Sequence, residues 1–203
     1  MARISCKTCR RLGMSICGRD KCAFKRKPYP PGEHGLRAKH GRGTVSEFGA
    51  QLREKQKMKF SYGLRERQFR SYVMEAKRRA GDTAQLLLEI LESRLDSIVF
   101  RMGLASTRSQ ARQMISHGHI MVNGRMVNIP SFRAAKGDKV SLRPQSAGKA
   151  LFRDLDIYLK KYTSPAWVSV DKEKREGAVL GRAADVDMAG LINVHAIVEF
   201  YSR

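Results

Sequence analysis

The sequence predicts a mostly helical α+β fold that begins with a four-cysteine knuckle and a basic loop and also contains a short antiparallel sheet. Three observations lead to this prediction. Apolar residues recur at helical spacing between residues 46 and 116. An Asn-Gly dipeptide, Asn123-Gly124, lies between two short apolar runs, which is a strong hairpin signal. All four cysteines lie between Cys6 and Cys22, so a disulfide framework spread along the chain is excluded.

The segment 23–45 cannot build a core alone. Pro28, Pro30 and Pro31, together with several glycines, leave it without an apolar period. Proline fixes φ and removes a hydrogen-bond donor, so an extended loop is expected here. Its lysines and arginines make that loop strongly basic.

Helices are predicted next along the chain. Residues 46–63 and 65–81 have helix-forming composition, and each stretch ends at a glycine. Phe69 and Val73 share one face of the second stretch. Residues 84–92 are rich in leucine and isoleucine, which is typical of a helix buried on several sides.

A block of two helices and a hairpin follows. Ser93 with Asp96 has the form of a helix N-cap and predicts a helix that ends near Gly103. Thr107 with Gln110 fits a capping box, which predicts a helix from Arg108 to about Ser116. The hairpin then turns at Asn123-Gly124, and KVSLRP after Lys136-Gly137-Asp138 is predicted to be a third strand.

The C-terminal segment is predicted to contain a helix and short strands. The helix covers about residues 149–161. Runs of β-branched and aromatic residues predict strands at 167–170, 178–180 and 197–201.

The charge of the chain indicates a nucleic-acid partner. Its 203 residues include 40 Lys and Arg against 19 Asp and Glu, for a net charge of +21 and an isoelectric point near 10.4. Residues 1–42 carry 12 basic and 2 acidic side chains, whereas residues 146–203 carry 9 and 8. Because lysine and arginine neutralise phosphates, the binding surface is expected within the first 145 residues. Adhesion to anionic lipid is the alternative, and no apolar run predicts a membrane span or a secretion signal.

The cysteines predict a structural metal site. Cys6, Cys9, Cys17 and Cys22 place four thiols within a short basic segment. A closed tetrahedral zinc site takes four such ligands, and nearby lysines and arginines favour the thiolates. Two disulfides, thiols without a ligand, or an iron–sulfur cluster are the alternatives. Four cysteine ligands leave no open position, so a catalytic metal is not expected.

Basic side chains elsewhere are candidate RNA contacts. Arg108 and Arg112 lie one turn apart on one helix face, and arginines and lysines between 53 and 79 alternate with aromatic residues, a pattern that suits RNA. The alternative for any single residue is an ordinary solvated charge, and for His117 and His119 also a metal ligand. The candidate RNA-binding residues are Arg3, Arg10, Arg11, Lys25, Arg26, His34, Arg53, Lys55, Lys57, Arg65, Arg67, Arg70, Arg108, Arg112, His117, His119, Asn123 and Arg125.

Motifs for catalysis are missing from the sequence. It contains no phosphate-binding loop, no dinucleotide fingerprint, no zinc-protease helix motif and no nucleophile elbow. We therefore expect a protein that is not an enzyme and takes no small-molecule substrate.

Several motifs together resemble one known family. They are the Cys-x2-Cys start, PYPPGEHG (28–35), QLREKQK (51–57), YGLRERQFR (62–70), LLEILESRLDSIVFRMG (87–103), TRSQARQMISHGHIMVNGRMVNIPSF (107–132) and the ending VEFYSR. In this order they closely resemble the family of the fourth protein of the bacterial small ribosomal subunit. The resemblance runs over essentially the whole chain.

The resemblance implies a domain organisation. Residues 93–145 are expected to form an inserted RNA-binding domain. The main helical domain, with short C-terminal strands, would comprise residues 46–92 and 146–203. Residues 1–45 would form a zinc knuckle and an extended basic loop.

The resemblance also implies a function. The protein would be a structural constituent of the small subunit in the cytoplasm, binding the 5′ domain of small-subunit ribosomal RNA early in assembly. The loop with Arg37, Lys39 and Arg42 would lie where messenger RNA enters, beside the third and fifth proteins of the subunit, and would influence translational accuracy. Some relatives lack the cysteines, so zinc does not follow from the family alone.

Two rival functions belong to other classes. Pseudouridine synthases carry a similar small RNA-binding domain, and Arg94-Leu95-Asp96 resembles part of their catalytic motif. However, too few residues follow that block to form a catalytic domain of ordinary size. A zinc-dependent RNA binder acting in transcription or stress, without a ribosome, is the second rival.

Overall fold

The computed structural model describes residues 5–19, 21–36, 46–183 and 192–202. The chain forms two compact units, which we describe separately. The first unit comprises Met1–Leu87 and Asp185–Arg203, and the second comprises Leu88–Ala184. None of the helices in the described residues combines the length and apolarity that crossing a bilayer requires. The predicted domain boundaries near residues 45, 92 and 145 stay a prediction.

The first unit is helical in its described part. Its elements are α1 (Cys6–Leu12), α2 (Ala23–Arg26), α3 (Glu47–Ser61), α4 (Glu66–Arg78), the start of α5 (Thr83–Glu92) and, near the C-terminus, the helix Val194–Phe200. The Ser46 hydroxyl caps α3 by accepting a hydrogen bond from the Gly49 amide. Met58, Phe69 and Val73 are fully buried and form the centre of this core. The helical spacing predicted the shared face of Phe69 and Val73.

The predicted strand at 197–201 is wrong, because Val194–Phe200 is a helix. The Asn193 side chain caps this helix by accepting a hydrogen bond from the Ala196 amide. Val194 and Ile197, three residues apart, are buried, and the helix packs against α3. Packing against α3 outweighs the β propensity of this run of β-branched and aromatic residues.

The second unit combines helices with one sheet. Helices α6 (Leu95–Arg101) and α7 (Arg108–Ser116) pack against each other. The strands are β1 (Ile120–Val122), β2 (Arg125–Met126), β3 (Lys139–Leu142), β4 (Val168–Asp171) and β5 (Glu176–Val179). They form an antiparallel sheet of order β2-β1-β3-β5-β4, which joins residues 120–142 to residues 168–179.

The hairpin follows its predicted turn chemistry. Asn123 and Gly124 have φ values of +49° and +77°, as a type I′ turn requires. The Thr107 hydroxyl caps α7 by accepting a hydrogen bond from the Gln110 amide. The return bond of the capping box differs, because the Gln110 carboxamide oxygen accepts from the amide and hydroxyl of Ser106.

Two other local predictions need correction. Ser93 does not cap α6, because its hydroxyl donates to the Ile90 carbonyl and Arg94 occupies the cap position. The helix predicted over 149–161 begins only at Leu155, as α8 (Leu155–Lys161). A 3-10 turn at Ala150–Phe152 precedes it and buries the Phe152 ring. The α+β class, with mainly helices and a small antiparallel sheet, is confirmed.

Candidate nucleic-acid interface and cysteine cluster

The N-terminal cysteines lie together. Helix α1 carries Cys6 and Cys9 and ends at Gly13, whose φ of +73° reverses the chain. The segment that follows returns Cys17 and Cys22 to the helix. The thiol sulfurs of Cys6, Cys17 and Cys22 all lie within 4.8 Å of one another. Three of the four predicted ligands thus lie together.

Cys9 is the fourth thiol of this segment and lies on α1. Cys9 and Cys22 are both buried. Burial raises the pKa of Cys9 to about 11. Burial also opposes ionisation of Cys22, but hydrogen bonds from the Ser15 hydroxyl, the Phe24 amide and the neighbouring thiols outweigh it and lower its pKa to about 7.

This donor set fits a structural metal ion. Tetrahedral thiolate ligands at a Zn–S distance of about 2.3 Å lie roughly 3.8 Å from one another. The 4.8 Å cluster is close to that geometry, and all four cysteines are free thiols rather than disulfides. The polar contacts at Cys22 favour a thiolate, which is the form that binds metal. The cluster is therefore compatible with one structural metal site.

Arg10, a predicted RNA contact, binds the chain's own basic loop. Its Nε donates to the Tyr29 carbonyl at 2.9 Å, and Nη2 donates to the Pro30 carbonyl at 3.1 Å. The guanidinium carbon lies 4.7 Å from the centre of the Tyr29 ring. Arg10 thus connects α1 to the loop through two hydrogen bonds, and we call it a strut for that reason. Four other candidates near it are exposed: Arg11, Lys25, Arg26 and His34.

Helices α3 and α4 carry exposed arginines. Arg53, Arg65, Arg67 and Arg70 are all exposed, and none of them forms an ion pair with another described residue. Because no paired carboxylate offsets the positive potential of these side chains, they attract an approaching phosphate more strongly. These four side chains form the most accessible basic surface among the predicted contacts in the first unit.

Two predicted contacts on α3 are engaged internally. Lys57 pairs with Glu54 at 2.6 Å. Lys55 is buried, pairs with Glu66 at 2.8 Å and lies 4.6 Å from the centre of the Phe200 ring. Burial opposes ionisation of Glu66, but bonds from lysines and from the Tyr201 hydroxyl outweigh it and lower its pKa to about 2. Lys55 therefore holds the C-terminal helix rather than facing solvent.

Arg108 and Arg112 on α7 point toward buried carboxylates. Glu92 is fully buried and accepts hydrogen bonds from Arg101 and from Arg108, the latter at 3.0 Å. Asp96 is 1% exposed and accepts from Arg94 and Arg112. We call these two groups the carboxylate clamps. In each clamp, two arginines donate hydrogen bonds to one carboxylate.

The clamps are the feature that the sequence interpretation missed. Asp96 lies in the first turn of α6, as expected, but its main partners are guanidinium groups. Arg108 and Arg112 lie one turn apart on α7, but Glu92 ends α5 and Asp96 lies on α6. No single helical period therefore relates the two acids to the two arginines.

The predicted RNA-binding residues on and next to the hairpin differ in exposure. His119 is buried, with Nδ1 3.0 Å from the Ser146 hydroxyl oxygen. The Asn123 side chain is exposed but donates to Asp138 and accepts from the Lys139 amide, which fastens the turn. His117 and Arg125 are exposed. Four further predicted residues lie outside the described residues: Arg3, Arg37, Lys39 and Arg42.

Comparison with known proteins covers nearly the whole chain. Residues 2–92 match the family described as the ribosomal protein S4/S9 N-terminal domain, and residues 93–140 match the S4 domain. A protein of Halothermothrix orenii is 45% identical over 98% of this chain and 96% of its own length. One of Geobacter metallireducens is 45% identical over 98% and 97%, and one of Chloroflexus aurantiacus 44% over 97% and 96%.

All three relatives are named small ribosomal subunit protein uS4. The match extends through both family domains and through the C-terminal segment, so it does not rest on residues 93–140 alone. The chain belongs to the uS4 family of small ribosomal subunit proteins, which are structural proteins and not enzymes.

Proposed function

We propose that this protein is a structural constituent of the small ribosomal subunit that binds the 5′ domain of small-subunit ribosomal RNA and nucleates assembly. It works in the cytoplasm as part of the ribosome. The observation that carries the proposal is the set of exposed arginines on α3 and α4, which have no carboxylate partner among the described residues of a uS4-family chain. Phosphate contacts of this kind position a protein on folded RNA, and no bond is made or broken.

The rigid setting of these arginines suits recognition by shape. Arg65 precedes α4, and Arg67 and Arg70 lie one turn apart on that helix. The buried Phe69 and Val73 hold the same helix in the core of the first unit. Folded RNA offers phosphates at fixed positions, and a packed helix holds the backbone of these arginines in place, so only side-chain freedom is lost on binding.

The binding experiment uses the full chain and a transcript of the 5′ domain. Affinity is measured across a salt series, with an unrelated structured RNA as competitor. We expect preference for the transcript to survive excess competitor. Equal affinity for both RNAs would contradict the proposal and favour a general basic RNA binder.

A matched pair of variants locates the surface. In the first, Arg65, Arg67 and Arg70 are replaced by glutamine. The slope of log affinity against log salt is expected to fall by about one unit per lost phosphate contact. The control replaces three exposed lysines of the nearly neutral C-terminal segment, Lys160, Lys161 and Lys174, and removes the same charge. Equal slopes in the two variants would rule out α4 as the contact surface.

The cysteine cluster is proposed to hold one structural Zn²⁺ through Cys6, Cys9, Cys17 and Cys22. When bound, the ion would tie α1 to the segment that follows it and so organise a region with little core of its own. Purified protein should contain one equivalent of zinc, and Cys9→Ser with Cys22→Ser should lose it. Visible absorption of an iron–sulfur cluster, or protein without metal, would contradict this assignment.

The loop with Arg37, Lys39 and Arg42 is proposed to contact messenger RNA where it enters, beside the third and fifth proteins of the subunit, and to influence accuracy. The family resemblance supports this part of the proposal. Subunits reconstituted with glutamine at the three positions should crosslink more weakly to messenger RNA and change their misreading frequency. Unchanged crosslinking would contradict it.

A further inference from the structure

The hairpin turn carries the only asparagine of the sequence that a glycine follows, Asn123 before Gly124. The other two asparagines, Asn128 and Asn193, each precede a β-branched residue. The amide nitrogen of the next residue can attack an asparagine side chain, and glycine hinders this attack least because it has no Cβ. Gly124 is exposed, and no described atom lies within 4 Å of the place that a Cβ would take. Its amide nitrogen is therefore open to the solvent that must remove its proton.

The reaction at this step of the chain converts an amide into an acid and needs only water. The Gly124 nitrogen loses its proton to hydroxide and forms a bond to the Asn123 Cγ. The bond from Cγ to Nδ2 breaks, and the nitrogen takes a proton from water and leaves as ammonia. Water then adds to either carbonyl of the cyclic imide and opens the ring, which gives aspartate or isoaspartate. In isoaspartate the backbone continues through Cγ.

The folded turn holds the Asn123 carboxamide at both of its polar atoms. Nδ2 donates to the Asp138 carboxylate at 2.8 Å, and Oδ1 accepts from the Lys139 amide at 2.9 Å. The Asn123 amide also donates to the Lys139 carbonyl at 2.8 Å. Ring closure turns the carboxamide toward the Gly124 nitrogen and releases Nδ2, so the bond to Asp138 must break. The folded turn should therefore slow the reaction, because the side chain must first open.

We propose that Asn123 is a deamidation site that the folded hairpin keeps in its amide form, and that the acidic product detaches the turn from Asp138. The Asp138 carboxylate accepts hydrogen bonds from the Asn123 side chain and the Ala135 amide. A carboxylate at position 123 has no hydrogen to donate and sets a like charge against Asp138. Isoaspartate also lengthens the turn between the paired residues Val122 and Arg125. Chains that stay unfolded would therefore accumulate a lasting mark at the hairpin, whatever the protein binds.

The first experiment compares the folded with the unfolded full-length chain. Both are incubated at the same pH and temperature, the second in guanidinium chloride, and peptide mass spectrometry follows the conversion of each asparagine to an acid. We expect Asn123 to convert faster than Asn128 and Asn193 in the unfolded chain, and about tenfold more slowly in the folded chain. Conversion no faster at Asn123 than at Asn128 would overturn the site. Equal rates in the folded and the unfolded chain would overturn the protection by the hairpin.

A matched pair of variants tests the bond to Asp138. Asp138→Ala removes the acceptor of the Asn123 side chain, whereas Asp171→Ala removes a carboxylate that accepts from the Glu173 and Lys174 amides at another turn of the same unit. We expect the first variant to speed conversion at Asn123 about fivefold in the folded chain, and the second to leave it unchanged. Thermal unfolding checks both folds, and Asp138→Ser replaces Asp138→Ala if that variant is unfolded. Equal rates in the two variants would show that Asp138 does not protect the amide.

The effect of the product is measured with Asn123→Asp, which introduces the acid without changing the backbone. Its control is Asn128→Asp, which adds the same charge at an exposed position after β2. The readout is the amide-exchange protection factor at position 123, where the amide donates to the Lys139 carbonyl. We expect this factor to fall about fivefold in Asn123→Asp and to stay unchanged in the control, because like charges facing each other across a turn repel. An unchanged factor in both variants would overturn the detachment of the turn from Asp138.

Discussion

Arginines on α4 and α7 have similar helical spacing but opposite surroundings. Arg67 and Arg70 on α4 are exposed and have no carboxylate partner among the described residues. Arg108 and Arg112 on α7 lie against Glu92 and Asp96 in the carboxylate clamps, and only 14% and 22% of their side chains is exposed. The difference teaches that net charge identifies a nucleic-acid binder but does not say which arginines meet the nucleic acid.

The exposed arginines of α4 and the carboxylate clamps also contribute differently to the free energy of folding. An exposed arginine keeps its hydration and contributes little to stability until a phosphate arrives. A buried carboxylate must be matched by its cations, because an unpaired buried charge is costly. Removing charge should therefore affect mainly RNA binding in α4 and mainly folding in the clamps.

The largest effect is expected for Asp96→Asn. Asp96 is 1% exposed, and its loss would leave Arg94, which is 2% exposed, without its carboxylate. We expect a loss of about 3–5 kcal/mol in the unfolding free energy of the second unit. Trp167, the single tryptophan, is buried in that unit, so urea unfolding followed by its fluorescence measures the change.

An exposed pair in the same unit provides the control for this prediction. Arg175 donates two hydrogen bonds to Asp156, whose side chain is 51% exposed. Asp156→Asn should shift the urea midpoint far less than Asp96→Asn, because water solvates the half-exposed Asp156 carboxylate. Equal destabilisation by the two substitutions would show that burial does not distinguish the clamps.

A smaller effect is expected for Arg108→Ala with Arg112→Ala. Each carboxylate keeps one arginine, Arg101 for Glu92 and Arg94 for Asp96, so the loss should be about 2 kcal/mol. The helical spacing of these arginines predicted them to be RNA contacts. From their partners we now expect their removal to reduce the salt slope of RNA binding less than removal of Arg65, Arg67 and Arg70. Salt titrations of both variants decide this, and a larger fall in the α7 variant would reverse the comparison.

Local chemistry explains which elements the sequence predicted. The Thr107 cap and the Asn123-Gly124 turn act within a few residues, and both formed as expected. The helix at Val194–Phe200 depends on burial against α3, more than a hundred residues earlier, and was predicted as a strand. The type of an element was therefore predictable where residues close in sequence determine it, and not where packing against a distant part of the chain does.

The features of the candidate site likewise divide into those that depend on nearby sequence and those that depend on tertiary partners. The cysteine spacing was enough to predict a cluster, because its ligands lie in one short segment. The partners of Arg108 and Arg112 lie sixteen residues earlier, on other helices. The burial of His119 depends on Ser146 and Phe152, beyond β3. Exposure is set by tertiary partners, which a residue-by-residue interpretation of charge does not include.

Arg10 and Arg11 repeat the comparison within one helix. Arg10 binds two carbonyls of the basic loop, whereas its neighbour Arg11 is exposed. Arg10→Gln should lower the free energy of local opening by about 1–2 kcal/mol, because two charged hydrogen bonds are lost. Amide exchange of Gly35, which is buried and donates to the Gly32 carbonyl at 3.1 Å, measures this opening. Arg11→Gln is the matched control and should leave the exchange unchanged; faster exchange in both variants would mean that Arg10 is not a strut.

The smallest effect concerns the pH dependence at Glu66, an exposed counterpart of the clamp carboxylates. Its lysine and tyrosine partners lower its pKa from 4.5 to about 2 in the folded chain. The folded form therefore gains stability from Glu66 above pH 4.5 and loses it as the pH falls toward 2. Because its side chain is 46% exposed, solvent screening should limit the gain to about 1 kcal/mol or less. The unfolding free energies of the wild type and Glu66→Gln should therefore converge over this pH range, whereas a constant difference would mean that the contribution of Glu66 does not depend on its ionisation.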